Sequence, residues 1–358
     1  MGSNPTLSAP HTARRSCRAV ARPGRGRRIR LAHSTAVPTG RFAPSPTGPL
    51  HVGNLRTALL AWLFARSSGS RYLLRVEDLD RVASRDEHVR SHEADLAALG
   101  LDWDGEAVHQ SDRFGLYEDA IARLDADGLL YPCYCTRREV QAAASAPHGP
   151  LPEGTYPGTC RDLTAAQRAE REAAGRRPSL RVRAGGDRVR ATDRLVGSLE
   201  SVVDDFVVRR ADGVPAYQIA VVVDDAAQGV GEVVRGSDLF DTTPRQVWLA
   251  ERLGLPVPAY AHVPLVVGPD GARLAKRHGA VTLADLAFRS VAPSALLQAM
   301  AAGLGLAAPD EPLDGPAPLL PRFDPAALPR APWTFDPDSL VPRGVTSLSS
   351  DNHRARTT

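Results

Sequence analysis

The chain has 358 residues, 43% of them hydrophobic, which is enough for a sizeable core and one or two domains. Its longest apolar run, Ala58 to Ala65, falls far short of the roughly 20 residues a membrane helix needs, so a membrane-spanning helix is excluded. The formal net charge of +3 does not describe a basic body: residues 1–40 carry eight Arg and no acid, so the remaining chain is at −5, the difference between +3 and that segment's +8.

Residues 1–37, rich in Arg, Ser, Ala, Pro and Gly, are expected to form a disordered basic tail, with a transit peptide as the rival reading. Order begins with a short strand at Gly40 to Ala43 and a Pro- and Gly-bearing loop from Pro44 to Leu50. A helix follows from Gly53 to Ser67, with an apolar stripe at Leu55, Leu59, Leu63 and Phe64. Arg71 to Val76 reads as a strand. Ser84-Arg85-Asp86-Glu87 has the form of a capping box opening a helix to Leu99, and a further helix follows Asp112 and ends near Gly128. Strand, helix, strand, helix implies an α/β fold with a doubly wound parallel sheet.

Residues 131–195 break that rhythm and read as an insertion. The sheet pattern is expected to resume with strands at Val202–Val208 and Ala216–Val223, the second nearly continuous in apolar residues as a strand buried on both faces would be. Then come a helix from Pro244 to Leu253, a strand at Val263–Val267, a loop with Lys276 and a short helical segment near Ser294–Ala302. The expected division is a tail at 1–37, two halves of a nucleotide-binding domain at 38–130 and 196–268, the insertion between them, a signature-loop segment at 269–307, and a largely disordered Pro-rich tail at 308–358. Trp333 and Phe335 are the residues of that tail suited to dock on the body.

Three features carry chemistry. Pro44-Ser45-Pro46-Thr47-Gly48-Pro49-Leu50-His51-Val52-Gly53-Asn54 joins a strand to a helix N-terminus, whose free N–H groups and partial positive charge suit a phosphate. His51 stands where it would donate to an α-phosphate, and Gly53 would let a flat base approach. Alone, the stretch reads equally well as a proline-rich turn. Asp270-Gly271-Ala272-Arg273-Leu274-Ala275-Lys276-Arg277-His278 holds the chain's single lysine, against a background that uses Arg for positive charge. A compact ammonium there could neutralise a leaving pyrophosphate, although a loop charge cluster is more often a solvated turn. Cys133, Cys135 and Cys160 cluster as three thiols suited to structural Zn²⁺, with His148 as a fourth ligand on general chemistry and unliganded thiols as the rival.

Together these motifs resemble the class I aminoacyl-tRNA synthetases. His51-Val52-Gly53-Asn54 is similar to their His-Ile-Gly-His signature, and Leu274-Ala275-Lys276-Arg277 to Lys-Met-Ser-Lys-Ser, in the same order and at wide separation. Arg41-Phe42-Ala43-Pro44-Ser45-Pro46-Thr47-Gly48 resembles the glutamyl and glutaminyl branch, as do Arg75-Val76-Glu77-Asp78-Leu79-Asp80, Val221-Val222-Val223-Asp224-Asp225 and Val234-Arg235-Gly236-Ser237-Asp238. The resemblance spans roughly Thr39 to Gly305. It implies an α/β class I synthetase fold and a ligase activating L-glutamate with ATP and Mg²⁺. His51 and Lys276 would be catalytic, and His51, Gly53, Asn54 and Lys276 would hold ATP. Arg41 and Arg235 would meet carboxylate, Glu77 the ammonium, and Tyr217 with Arg41, Phe42, Ala43, Pro44 and Ser45 would line the pocket. It favours Tyr156 over His148 as fourth ligand of one structural zinc on Cys133, Cys135 and Cys160. Asn54, Arg273 and Ala275 depart from the signatures, which puts turnover in doubt.

About 80 residues follow the lysine loop, too few for helical anticodon-binding domains. That form resembles the glutamyl-queuosine tRNA(Asp) synthetase family, which attaches glutamate to the queuosine base in the anticodon of tRNA(Asp). The expected partner is therefore that anticodon stem-loop, and the expected state a cytoplasmic monomer. A short conventional glutamyl-tRNA synthetase, a silent binding module and a small-acceptor ligase remain as rivals.

Overall fold

The computed structural model describes Met1 and residues 39–144, 155–272, 274 and 281–341. Apart from Met1, the expected basic tail at 1–37 lies outside the described residues, as do His148, Arg273, Ala275, Lys276 and residues 342–358.

The chain opens with β1 (Thr39–Phe42), α1 (Val52–Ser67) and β2 (Arg71–Val76), with β1 and β2 parallel and in register from Thr39↔Arg71 to Phe42↔Leu74. This βαβ unit forms because α1 is apolar nearly all round: Leu55, Ala58, Leu59, Leu60, Trp62, Leu63 and Phe64 are all buried, as a helix sealed between a sheet and a second layer must be. α2 (Asp86–Ala98) and β3 (Val108–His109) follow, β3 running parallel to β2. The expected capping box at Ser84–Glu87 does not form. Arg85 is the N-cap and makes no side-chain cap bond, so Asp86 and Glu87 act only as first-turn charges complementing the helix dipole.

α3 (Phe114–Ala126) leads into β4 (Leu130–Cys133), α4 (Arg137–Ala144), α5 (Ala165–Ala173) and β5 (Ser179–Val182). The hairpin β6 (Arg188–Asp193) and β7 (Gly197–Val202) comes next, then β8 (Val207–Arg209). The strand expected at Val202–Val208 is thus two strands in different sheets, β7 on β6 and β8 antiparallel to β5. Between them Asp205 is fully buried and accepts from Tyr131 Oη at 2.6 Å, Arg161 Nε at 2.7 Å and the Ala184 N–H at 3.0 Å, which turns the chain out of any ladder.

The second expected strand, Ala216–Val223, is wrong. Tyr217–Ala227 is α6. A short apolar run buried on all sides looks the same as helix or strand, and here Asp224 and Asp225 decide the matter. They continue the same buried helix to reach cations on β1, β2 and the start of α3. β9 (Glu232–Gly236), α7 (Thr243–Leu253), β10 (Ala259–Val263) and β11 (Val266–Val267) complete the second half. The strand expected at Val263–Val267 is therefore split in two around Pro264.

β9 and β10 are parallel, and β9 joins β1 through the Thr39↔Val230 bridge and the Gly231 N–H to Thr39 carbonyl bond of 2.9 Å. The order β3-β2-β1-β9-β10 is the doubly wound arrangement, extended beyond β10 by the β6–β7 hairpin, with β6 parallel and β7 antiparallel. α1 shares one core with α9 (Pro293–Gly303) and the following segment, while α3, α6 and α7 fill a second core.

The Pro-rich end is ordered as far as residue 341, contrary to a largely disordered tail. α8 (Leu283–Phe288) was not anticipated, and beyond α9 the prolines start short 3-10 turns rather than preventing structure. Leu313, Leu319, Leu328 and Phe335 are buried, and β12 (Trp333–Thr334) pairs with β11. Trp333 and Phe335 dock as expected. No described helix is long and apolar enough to cross a membrane.

Candidate active site

A cavity of about 500 Å³ opens beside the carboxyl ends of β1 and β9, where a doubly wound sheet presents ligands. Arg41, Phe42, Ala43, Pro44, Ser45, His51, Gly53, Asn54, Glu77, Tyr217 and Arg235 all line it, so the structure brings together every described residue expected to hold glutamate or ATP. Leu274, two residues before Lys276, lines it too. The loop after β1 is pinned to β2 by the Glu77 N–H donating to the Pro44 carbonyl at 3.0 Å.

His51 is the N-cap of α1. Its Nδ1 accepts from the Asn54 N–H at 3.3 Å, and the Asn54 side chain accepts from the His51 N–H at 3.2 Å. Asn54, one of the departures from the synthetase signature, therefore closes a reciprocal capping box that fixes the imidazole. A Cβ on Gly53 would stand 2.9 Å from His51 Cε1, so the first thing this glycine admits is the histidine ring. The start of α1 is also tied to the chain beyond the lysine loop, by a bridge from His51 to Thr282 and the Val52 N–H to Val281 carbonyl bond of 2.9 Å.

One wall is a lattice of buried charges. Asp225 on α6 lies 3.2 Å from Arg41 Nε and 2.7 Å from Arg75 Nη1, and Arg75 Nη2 reaches Glu77 at 3.4 Å. Asp224 accepts from Gln110, Arg113 and Tyr117 at 2.9, 2.6 and 2.8 Å. Burial pushes the Glu77 carboxyl above its ordinary range, against the pull of Arg75 and Arg41. Burial acts the same way on Asp225, but its two arginines overcome it and hold the carboxyl below the usual range. Tyr217, at the start of α6, keeps its hydroxyl protonated through burial and the nearby Glu77 charge.

The opposite wall is built differently. Arg235 on β9 donates from Nε to His262 Nε2 at 2.9 Å, from Nη1 to Gln246 Oε1 at 2.8 Å and from Nη2 to Thr243 Oγ1 at 3.0 Å, and it lies over the Tyr260 ring at 5.2 Å. Arg75, Asp225, His262, Asp193, Thr243 and Gln246 were not singled out as site residues from sequence. Only the two acids closing the apolar run at 219–225 offered a signal, since buried Asp pairs need cations.

The cysteine cluster lies apart, in a small core of its own. The sulfurs of Cys133, Cys135 and Cys160 all fall within 4.8 Å of one another. Tyr156 Oη joins them, 3.3 Å from Cys133 Sγ and 3.6 Å from Cys135 Sγ, and accepts from the Cys160 N–H at 3.0 Å. Zinc–sulfur bonds of about 2.3 Å in a tetrahedron set sulfurs about 3.8 Å apart. The 3.5 Å between Cys135 and Cys160 is close to that spacing, so three thiols and one phenol fit a single ion.

A doubly wound sheet with a histidine-capped first helix and two arginine walls defines the catalytic domain of a class I synthetase. The family model for class I tRNA synthetases (E and Q), catalytic domain, matches residues 37–308, and the chain belongs to that family. It is 60% identical over 302 residues to a Glutamyl-Q tRNA(Asp) synthetase of Nocardia farcinica, covering 84% of this chain and 94% of that one. To Glutamate--tRNA ligase 1 of Halorhodospira halophila it is 44% identical, covering 84% of this chain but 65% of the relative. The fold matches a crystal structure of a glutamate tRNA ligase from Elizabethkingia meningosepticum with TM-score 0.71 at 22% identity, over 85% of this chain and 68% of that one.

Proposed function

We propose that the chain activates L-glutamate with ATP to glutamyl-adenylate and transfers the glutamyl group to the queuosine base in the anticodon of tRNA(Asp). The observation that carries the first half is the single cavity into which the carboxylate-binding, ammonium-binding and helix-N-terminal groups all converge. The acceptor rests on relatives that bear the glutamyl-Q name, three of which are 50–60% identical to this chain, against 44% for the Halorhodospira halophila glutamate--tRNA ligase.

Glutamate's α-carboxylate is already a nucleophile, so the site needs no general base. One carboxylate oxygen attacks the α-phosphorus, the bond to the bridging oxygen breaks, and pyrophosphate leaves with the charge. Catalysis is positioning and charge stabilisation. Arg235 and Arg41 hold carboxylate, Glu77 faces the ammonium, and Tyr217 closes the pocket. The loop from Arg41 to Ser45 lines it. His51 donates to the α-phosphate from the mouth of α1, Gly53 and Asn54 shape that mouth, and Lys276 neutralises the departing pyrophosphate. ATP brings Mg²⁺, which shields the phosphates. One structural zinc on Cys133, Cys135, Cys160 and Tyr156 would brace the insertion at 131–195. The protein then acts as a cytoplasmic monomer on an anticodon stem-loop.

A charging assay with three RNAs tests this: glutamate tRNA, aspartate tRNA without queuosine, and aspartate tRNA carrying it. We expect ATP–pyrophosphate exchange without any RNA, and stable transfer only to the third. Efficient charging of glutamate tRNA on its 3′ end would replace the reading with a short conventional synthetase.

A further inference from the structure

Arg235 stands out among the buried arginines of the cavity because its three side-chain hydrogen-bond partners are all uncharged. Among the described residues it forms no ion pair with a carboxylate. A guanidinium carries five N–H groups, and these three bonds use one on each nitrogen. One N–H remains on Nη1 and one on Nη2, and such a pair can take a carboxylate through both oxygens.

What keeps the Nε side neutral is a relay reaching back into the sheet. His262 lies directly opposite Arg235 in the β9–β10 register, and its Nε2 accepts from Arg235. To accept there, the ring must carry its proton on Nδ1. That is the arrangement Asp193 enforces. Asp193, the last residue of β6, places Oδ2 at 2.6 Å from His262 Nδ1 and at 2.9 Å from the His262 N–H. Its Oδ1 takes the N–H groups of Leu195 and Val196, each at 2.8 Å. Burial would raise this carboxyl, but the His262 bond and the two backbone bonds hold it below the usual range, so it is an acceptor only. His262 in turn is held neutral first by burial and then by Arg235, against the pull of Asp193 and Asp238. Thr243 Oγ1 at 3.4 Å, the edge of Phe240 and the stacked Tyr260 ring complete its surroundings.

We propose that Asp193 and His262 are positioning residues for glutamate. Asp193 sets the His262 tautomer, the tautomer makes Nε2 a lone-pair acceptor, and that acceptor aims the free end of Arg235 at a substrate carboxylate. The β6–β7 hairpin thus takes part in amino-acid binding by supplying Asp193. The proposal rests on the reading of Arg235 as a carboxylate contact.

The test is Asp193→Asn, an isosteric change that keeps the acceptor for Leu195 and Val196. Its amide N–H₂ would face Nδ1, drive the proton to Nε2 and set it against Arg235 Nε–H. In ATP–pyrophosphate exchange, we expect the KM for glutamate to rise tenfold or more, roughly the effect of losing one charge-assisted contact. The KM for ATP and kcat should stay within about threefold, the spread a purely positional effect leaves. His262→Gln supplies an amide oxygen to Arg235 and should stay within about threefold of the wild type in every constant, on the same ground. Unchanged glutamate KM in Asp193→Asn, or an equal loss in His262→Gln, overturns the proposal. Should Asp193→Asn not fold, His262→Met removes the acceptor without adding charge, and the same rise in glutamate KM is expected of it or the proposal fails. Arg235→Met separates the two levels: if it leaves glutamate KM unchanged, the reading of Arg235 falls, whereas a rise there without one in Asp193→Asn removes only the relay.

Discussion

The two walls of the cavity solve the same problem in opposite ways. Both bury an arginine: Arg41 is 4% exposed and Arg235 5%. Arg41 shares Asp225 with Arg75, and Glu77 and Asp224 lie against the same arginine, so that wall compensates its charges internally. Arg235 is held by a threonine, a glutamine and a neutral histidine, so its charge is left for something brought in. A buried cation fenced by neutral acceptors is a better mark of a carboxylate site than a buried cation already in an ion pair. On that ground we propose Arg235 as the primary carboxylate anchor, with Arg41 contributing the charge that Asp225 leaves it.

The comparison breaks most readily at Asp225. Asp225→Ala would strand two buried guanidinium groups, and removing one partner of such a set costs about 3–5 kcal/mol. Arg235→Met removes no ion pair and should cost well under half of that in denaturant unfolding, while harming glutamate binding. Equal losses of stability in the two variants would show the walls to be alike. The pH dependence has a definite sign. The folded-state value of Asp225 is depressed, so its contribution is present above the ordinary carboxylate range and is lost as the pH falls through the lower, folded value. The gap between wild type and Asp225→Asn should therefore narrow on acidification.

The cysteine cluster sharpens the same idea with soft donors. Three sulfurs and a phenol oxygen converge with few partners besides one another, and Arg181 lies 3.9 Å over the Tyr156 ring. Freshly purified protein should hold about one zinc per chain by elemental analysis. Cys133→Ser should lose it and lower the thermal midpoint by several degrees, about what a loss of 1–2 kcal/mol gives in a domain of this size. Tyr156→Phe should weaken metal retention without abolishing it. Protein free of any transition metal, and indifferent to a chelator, would remove the zinc.

Much of this was legible in the sequence, because the residues involved lie in short contiguous motifs. The run from Arg41 to Asn54 covers the floor of the cavity and the cap of its helix, and the helix expected at Gly53–Ser67 and the strand expected at Arg71–Val76 match α1 and β2 to within a residue. What escaped notice depends on register between distant strands. Nothing local to His262 distinguishes it from any histidine in an apolar strand. It matters only because β10 sets it opposite Arg235 and β6 ends in Asp193. α6 was misread for a related reason. A short apolar run has the same pattern in a buried helix and a buried strand, and the partners that decide between them, Arg41 and Arg75, lie 150 or more residues away.

The smallest expected effect concerns a carboxylate that neither wall accounts for. Asp95 on α2 is half-buried, and no cation or N–H reaches its carboxylate among the described residues. Burial alone raises it from 3.8 to about 6. Here the sign is the reverse of that for Asp225. A raised folded-state value means that the stability tied to this group is fully present below the ordinary carboxylate value and is lost as the pH rises through about 6. At pH 8 the ionised group is a liability, which Asp95→Asn removes. A rise of that size corresponds to about 3 kcal/mol if none of the group were solvated. Since its carboxylate is still partly hydrated, a gain of about 1 kcal/mol is the reasonable expectation. Urea unfolding of wild type and Asp95→Asn at pH 8 and pH 4 measures it: the variant should be the more stable at pH 8, and the two should converge at pH 4. A variant no more stable than wild type at pH 8 would show that Asp95 finds a partner after all, and that the contrast between compensated and uncompensated buried charge does not extend to α2.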